Sequence, residues 1–492
     1  MLEAFPKINR AVLFGSRAIG TFRGASDLDL ALEGDDLKLS DLVTVRSRIG
    51  RLELPFEADV VIRAKITNPD VEKHIRDYGR VFYQRKMADA DMSGWREMTL
   101  REAGVSLIDC DHRTPPPSEN GYPYVAIPQL KQGRLDLSDA RRITREHFVE
   151  WTRKANPQPN DVVLSRRCNP GESAFVPKGL EFALGQNLVL LRADESKMFP
   201  PFLRWLVRGE KWWEQIDKFI NVGAIFNSLR CADIPSFELP IPPVSEQRAI
   251  ASVLGSLDDK IELNQRMNET LEAVAQSLFK SWFVDATQSA LPKGWREGVV
   301  EDLGDIICGK TPPTSDPTNY GTDIPFVTIP DMHGQMFVTR TGKSLSQQGA
   351  DTQPTKTLPP YSICVSCIAT PGLVILTSQP CQTNQQINSV VPNTGYSPFY
   401  CYFALRELSE EICSRGSGGS VTANLNKGDF AKIPIGLPPV ELSKQFQELT
   451  EPVFKRILSN EHESRTLAAL RDALLPKLLS GELRVPQKLE VA

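Results

Sequence analysis

The chain repeats itself over most of its length. Gly94-Trp95-Arg96-Glu97 returns as Gly294-Trp295-Arg296-Glu297, and the echo then runs in order through two long arms. Tyr124-Val125-Ala126-Ile127-Pro128 corresponds to Phe326-Val327-Thr328-Ile329-Pro330, the run from Gly223 to Leu229 to that from Gly419 to Leu425, and Pro242-Pro243-Val244 to Pro438-Pro439-Val440. Collinear matches with loops of drifting length mean duplication of a whole domain plus its connecting element, at a period far beyond that of a solenoid repeat. Such a chain has to build two similar globules, and it presents two similar surfaces to one partner.

At 492 residues there is room for about three domains, and 41% apolar with 24% charged residues is ordinary for a globular protein. No apolar run approaches the ~18 residues that span a bilayer, and the first residues, MLEAFPKINR, lack a signal-peptide core, so a cytoplasmic protein without a membrane role is expected. Nine cysteines, scattered without framework spacing, fit reduced thiols. With 57 basic against 61 acidic residues the net charge is -4, so DNA binding would have to work through local patches or with help from partners.

Residues 1–88 stand outside the duplication and carry the densest chemistry. Ala11-Val12-Leu13-Phe14 reads as a buried strand, and Gly15-Ser16-Arg17-Ala18 as a tight turn into a short helix whose free amides would hold a phosphate. Along a following strand, Ser26 to Leu32, alternation puts Asp27 and Asp29 on one face with Leu28 and Leu30 pointing into the core. Two such carboxylates repel each other and are best tolerated where a divalent cation neutralises them. Asp59, in the apolar run Phe56 to Ile62, adds a third strand-borne acid. Three carboxylates beside a phosphate-binding turn point to a magnesium site for nucleotidyl transfer.

This stretch resembles the minimal nucleotidyltransferases of the polymerase-beta superfold, whose Gly-Ser turn, Asp-x-Asp strand and later strand aspartate match Gly15, Ser16, Asp27, Asp29 and Asp59. The closing run His74 to Tyr83 also looks like the end of such domains. The resemblance implies that Gly15, Ser16 and Arg17 hold the nucleotide, with a nucleoside triphosphate as substrate. Asp27 and Asp29 would bind Mg2+ on the triphosphate, and Asp59 would activate an attacking hydroxyl or complete the metal cage.

Each arm opens with Gly-Trp-Arg-Glu, passes a Thr-Pro-Pro loop (Thr114-Pro115-Pro116 and Thr311-Pro312-Pro313) and enters short apolar strands punctuated by Gly and Pro, a pattern of a mixed or β-rich globule. Expected strands are Tyr124 to Ile127, Val162 to Ser165 and Leu188 to Leu191, with Phe326 to Ile329, Ile363 to Ser366 and Val390 to Val391 in the second arm. A helical stretch follows in each, Phe202 to Ile220 and Phe399 to Cys413. Each globule then hands over to a long helix. Ile250, Leu254, Leu257, Ile261, Asn264, Asn268, Leu271, Ala275, Leu278 and Trp282 step by fours and threes, a heptad seam. Phe446, Leu449, Val453, Ile457, Asn460, Leu467, Leu470, Leu474 and Leu478 follow a similar course, and Asn264 maps onto Asn460. Asparagine in an apolar seam weakens packing but fixes register. About 40 residues at ~1.5 Å per residue give a rod of roughly 60 Å.

Together the Thr-Pro-Pro loops, the Thr383-Asn384-Gln385-Gln386-Ile387-Asn388 turn, the Pro-Pro helix starts and the closing Leu474 to Leu483 resemble the specificity subunits of type I restriction-modification systems. The fold class this implies is α+β: a polymerase-beta-like nucleotidyltransferase domain (1–88), then two mixed α/β target recognition domains (92–243 and 290–439). Long antiparallel coiled-coil spacers (244–286 and 440–485) separate and follow them, with a tail at 486–492. The first arm departs from the glycine-rich loop, reading Asp109-Cys110-Asp111-His112-Arg113-Thr114.

The resemblance implies recognition of double-stranded DNA at a split site, each globule reading one half-site, with methyltransferase and restriction subunits as partners and no cofactor for the body. Arg166, Arg167, Gln186, Asn187 and Asn227 in the first arm, and Gln385, Gln386 and Asn424 in the second, are the expected contacts, since Arg suits guanine and Asn or Gln adenine. Asn187, Asn227 and Asn424 equally suit framework hydrogen bonds, because their positions recur in both arms. Cys364-Val365-Ser366-Cys367 has the spacing of half a zinc site but reads as a core strand, and the five histidines have no acid or serine arranged around them. A rival reading makes the nucleotidyltransferase primary, with the duplicated body positioning it. A third leaves the N-terminal domain folded but idle.

Overall fold

The structure is a computed structural model. It describes residues 5, 7–19, 27–34, 37–50, 58–66, 68–84, 94–223, 227–287, 291–393, 395–416 and 424–485. Phe56, the echoed runs 224–226 and 419–423, and the tail 486–492 therefore lie outside the described residues. Two compact units emerge, residues 1–251 with 474–492, and residues 252–473. Among the described residues no helix is long and apolar enough to cross a membrane.

In the first unit the N-terminal region forms β1 (Arg10–Phe14), α1 (Gly15–Ile19), β2 (Leu28–Glu33), α2 (Leu39–Gly50), β3 (Ala58–Ile62), α3 (Pro69–Tyr78) and β4 (Arg80–Gln84), with sheet order β3-β2-β1-β4. Alternation works as expected. Ala11, Leu30, Leu32, Val60 and Ile62 pack with Val45 and Ile49 of α2 on one face, while Val12 and Ala31 meet Ile75 of α3 on the other. Asn68 caps α3 by accepting from the Asp70 amide at 2.9 Å, with Pro69 at the first helical position.

The first arm opens with a strand, Arg96–Thr99, that pairs antiparallel with its last strand, Glu238–Ile241. Between them lies a four-stranded sheet in the order Ser173–Phe175, Val162–Ser165, Leu188–Ala193, Val105–Asp109. A three-stranded sheet joins Arg141–Ile143, Tyr122–Val125 and Ala183–Leu184. The expected helix from Phe202 to Ile220 is two helices, Pro200–Leu206 and Glu210–Phe219. The break falls at Gly209, where a Cβ would meet the Leu479 side chain at 2.7 Å, so glycine there permits close packing of the C-terminal helix end.

The second arm repeats this plan. Arg296–Val299 pairs with Pro434–Leu437, and the three-stranded sheet Lys343–Leu345, Tyr320–Val327, Gln382–Thr383 recurs. The larger sheet runs Gly304–Cys308, Ile387–Pro392, Ile363–Ser366, Val374–Thr377 and then adds a fifth strand, Phe337–Val338, whose place in the first arm is taken by a single parallel bridge, Gly133 to Ala174. The expected helix from Phe399 to Cys413 is likewise broken, into Pro398–Glu407 and Ser409–Gly416.

The two long helices span Val244–Phe279 and Val440–Leu479, the first ending in one wide turn, Lys280–Val284. Within the second unit they pair antiparallel. Asp258 bonds Arg471 at 2.5 Å, Lys260 meets Glu463 at 3.2 Å, and Asn268 donates to the Ile457 carbonyl at 3.2 Å, so rising numbers on one helix meet falling numbers on the other. The matched asparagines do cross the seam, although not side chain to side chain. Asn460 Nδ2 donates to Asn268 Oδ1 at 2.8 Å, while Asn264 Nδ2 reaches Glu463 at 2.9 Å, Ser464 at 3.2 Å and the Asn460 carbonyl at 3.4 Å.

The second helix departs from its expected seam. Leu449 and Leu470 are 49% and 46% exposed, whereas Thr450 and Phe454 are fully buried. Thr450 is tolerated inside because its hydroxyl donates back to the Phe446 carbonyl at 2.7 Å, and Phe454 stacks on Phe399 at 4.0 Å between ring centres. Tertiary aromatic packing, not heptad count, sets which face turns inward.

Glu461, on the same helix, is largely withdrawn from water, with one carboxylate oxygen lacking a hydrogen-bond partner. Burial, with Glu272 adding repulsion, pushes its carboxyl up to about 8 although the Phe337 amide acts the other way. The folded pKa thus stands above the unfolded one. Its contribution to stability is fully present below the ordinary glutamate range and is lost as pH rises through about 8. Denaturant titrations should show the wild-type midpoint falling across that window and a flatter profile for Glu461→Gln; identical pH profiles would refute the assignment.

Candidate functional site

In the N-terminal sheet Asp29 sits at the middle of a cross-strand row, opposite Phe14 on β1 and beside Asp59 in the parallel register with β3. Asp27 stands just before β2. Gly15 takes a positive φ of 69°, and a Cβ there would lie 2.0 Å from Asp29 Oδ2, so only glycine lets the turn approach the carboxylate. Burial, then repulsion from Asp59 and Asp27, raises the Asp29 pKa above the usual carboxylate value, with His74 opposing. The expected cluster is therefore real as a group of interacting acids.

Two contacts were not legible from sequence. The Gly15 amide is not free but donates to His74 Nε2 at 3.2 Å, and Arg46 bonds Asp59 Oδ1 at 2.6 Å and the Val60 carbonyl. Arg17 Nε donates to the Asp27 carbonyl at 3.1 Å, holding the turn against the start of β2. All-oxygen donors suit Mg2+, which typically takes one or two carboxylates and keeps several waters.

In the first arm the expected contacts come together. Arg166, Arg167, Gln186 and Asn187 line one cleft of about 450 Å³ with His112 and Cys168, and the Asn227 carbonyl accepts from the Cys168 amide at 3.1 Å. The cleft rests on backbone bonds: Arg166 N to Asn187 O at 3.1 Å and Leu229 N to Arg166 O at 2.8 Å. The second arm repeats both, as Cys367 N to Gln386 O and Leu425 N to Cys367 O, each at 2.9 Å. Arg166 is thus matched by Cys367 and Asn187 by Gln386. The bridges Arg167 to Ser228 and Ile368 to Asn424 show that Asn424 matches Ser228 rather than Asn227, so the expectation that these asparagines occupy recurring positions fails for that pair. Gln385 is oriented by Thr311, whose hydroxyl donates to its Oε1 at 2.6 Å, and Gln386 Oε1 accepts from Asn384 at 2.8 Å.

His112 overturns the expectation that no histidine has an acid partner. Its Nε2 lies 2.9 Å from Asp109 Oδ2, while Arg166 Nη2 stands 3.1 Å from Nδ1 and 3.5 Å from the Gln186 carbonyl. A carboxylate only accepts, so Nε2 carries a proton, while Nδ1 faces both the Gln186 carbonyl at 3.0 Å and the arginine. Asp109, Cys110 and His112 bring donor atoms within 4.8 Å of one another, as a metal trio would. Lys154 Nζ at 3.6 Å from Asp109 and Arg166 on His112 already supply positive charge there, which makes the group an ion-paired network. The sequence signal for it was an inserted pair of residues in the first Thr-Pro-Pro loop. Cys364 and Cys367 lie fully buried in a core strand, where burial pushes their thiols up to about 12 and about 11.

Comparison with known proteins follows the same division. Residues 109–273 and 292–467 each match the family of type I restriction modification DNA specificity domains, and residues 1–88 match the polymerase beta nucleotidyltransferase family. The chain belongs to the type I restriction-modification specificity family and carries a nucleotidyltransferase domain at its N-terminus. It is 34% identical to the HindI specificity subunit of Haemophilus influenzae, over 66% of this chain and 86% of the relative. To the MjaIX specificity subunit of Methanocaldococcus jannaschii it is 28% identical, over 70% and 83%. In fold it is similar to the crystal structure of a type I restriction-modification S subunit from M. genitalium, with TM-score 0.52 and 17% identity over 78% of this chain and 96% of that one.

The raised Asp29 pKa carries a signed prediction. Its stabilising contribution is present below the unfolded aspartate value, near 3.9, and is lost as pH rises through the higher folded value. Asp29→Asn in the full chain should therefore slow amide exchange across residues 7–84 at neutral pH, and millimolar Mg2+ should slow it in the wild type but not in the variant. Equal exchange in both proteins with and without the ion would refute it.

Proposed function

We propose that the protein is the DNA-reading subunit of a type I restriction-modification complex, recognising a bipartite target in double-stranded DNA and docking methyltransferase and restriction subunits. The observation that carries this reading is the pairing of an identical backbone framework with unlike side chains. Both arms present the same strand order and the same carbonyl-amide bonds, yet the first lines its cleft with Arg166, Arg167 and His112, whereas the second has Ile368 in place of Arg167 and turns Cys367, in place of Arg166, into its core. Two copies of one scaffold with different reading groups suit two different half-sites. Arg166, Arg167, Gln186, Asn187 and Asn227 serve the first, and Gln385, Gln386 and Asn424 the second. Co-expression with methyltransferase subunits and mapping of methylated bases in the host genome should give one bipartite motif with two dissimilar halves. Uniformly unmethylated DNA would sink the reading.

The N-terminal domain adds a metal-dependent nucleotidyl transfer. Asp27 and Asp29 would hold Mg2+, which would neutralise the charge of the incoming nucleoside triphosphate. Gly15, Ser16 and Arg17 face its phosphates, and Asp59, held by Arg46, takes the proton of the hydroxyl that attacks the α-phosphorus as pyrophosphate leaves. The burial of Asp29 beside Asp59 and Asp27, which raises its pKa, supports this assignment. Incubation with labelled nucleoside triphosphates and Mg2+ should label protein or RNA, and Asp27→Ala or Asp29→Ala should lower the rate at least about 100-fold. No transfer above those variants would leave the domain without this activity.

A further inference from the structure

We propose that the chain Asp109, His112, Arg166 is a specificity device, in which His112 positions the Arg166 guanidinium to read a guanine in the first half-site. The inference rests on the DNA-reading function proposed above. Strand register locates the device in the duplication: Asp109 pairs with Val189 as Cys308 pairs with Asn388, so Asp109 and Cys308 are equivalent. From there the first arm needs Cys110, Asp111, His112 and Arg113 to reach Thr114, whereas the second needs only Gly309 and Lys310 to reach Thr311. The extra residues carry the histidine into the cleft.

What His112 does there follows from its partners. Asp109 accepts from Nε2 at 2.9 Å, which fixes the ring so that its Nδ1 edge stands 3.0 Å from the Gln186 carbonyl and 3.1 Å from Arg166 Nη2, beside the same carbonyl that Arg166 approaches at 3.5 Å. Lys154 at 3.6 Å offsets the Asp109 charge, so the carboxylate orients the ring and does not capture the arginine. Arg166 itself forms no ion pair among the described residues, and its Nε has no hydrogen-bond partner. An arginine packed against an imidazole edge and a backbone carbonyl, with no carboxylate closing its guanidinium, is suited to the two acceptors on the major-groove edge of guanine. A structural arginine is normally closed off by a carboxylate, as Arg192 is by Asp161 at 2.6 Å in the same arm. The second arm has Cys367 in place of Arg166 and no histidine in its loop, so this means of reading belongs to one half-site only.

The test uses the assembled complex, with the chain co-expressed with methyltransferase subunits and the motif read from genome-wide methylation. Arg166→Ala should relax one guanine position of one half-site, lowering discrimination there about tenfold, and His112→Ala should relax the same position while the other half-site stays intact. His112→Asn, whose carboxamide can still meet both the Gln186 carbonyl and Arg166, should restore most of the preference. The double variant should be no worse than Arg166→Ala alone, since the histidine acts through the arginine. An unchanged motif in His112→Ala beside a relaxed one in Arg166→Ala would remove His112 from the device. Even weakening across all sequences would make Arg166 a phosphate contact and overturn the proposal. A wild-type complex that methylates no bipartite motif would instead overturn the DNA-reading function beneath it.

Discussion

Each arm closes on itself. The strand that begins it, Arg96–Thr99 or Arg296–Val299, pairs with the strand that ends it, Glu238–Ile241 or Pro434–Leu437, and the Pro-Pro pair that follows releases the chain directly into a long helix. Four-residue strand pairs are marginal alone. They hold because their inward side chains, Leu239 and Ile241 in one arm and Leu437 in the other, are fully or almost fully buried, and because Trp95 next to the first clasp donates to Glu246 on the first turn of the helix at 2.9 Å. With its ends pinned together, an arm can change its interior loops without moving the point where the helix starts. That constraint lets one scaffold be duplicated and then diverge.

Divergence is inexpensive where the framework is made of backbone. At the cleft the recurring bonds run between amides and carbonyls, so Arg166 and Cys367, or Asn187 and Gln386, can replace one another without breaking the framework. Arg166 and Asn187 line the first cleft, while Cys367 turns into the core of the second arm. Elsewhere the arms differ by whole elements. The short strand Phe337–Val338 extends the second sheet where the first has a single bridge, Gly133 to Ala174, and there the Phe337 amide meets Glu461 of the helix.

What was legible in the sequence follows the same line between local and tertiary causes. Ile363–Ser366 and Val162–Ser165 emerge with the expected ends because three consecutive apolar residues and a buried serine, bounded by turn signals, have one solution in a buried sheet. Asp27, Asp29 and Asp59 were visible because alternation and spacing are local properties. The inward face of the second long helix was not: a heptad count chooses Leu449, and the structure chooses Thr450, whose hydroxyl is satisfied within its own helix. His74 on the Gly15 amide and Arg46 on Asp59 come from elements distant in sequence, and no spacing rule announces them. The two extra residues before Thr114 were on the page, but their meaning needed the strand register that turns an insertion into a position.

The polar groups buried between the long helices bear on how such a protein keeps its geometry. An apolar seam slides readily by one heptad, since leucine replaces leucine. Here a slip of that size would separate Asp258, only 2% exposed, from Arg471, and would take Asn460 away from Asn268. Leaving a buried carboxylate without its cation costs about 3–5 kcal/mol, several times what a buried leucine contact would return by shifting to a neighbour. The asparagines add further unsatisfied amides to any other alignment. Replacing all of these groups by leucine would strengthen the pairing while removing its uniqueness, and the reading of a bipartite target proposed above would depend more on a single register than on a tighter one.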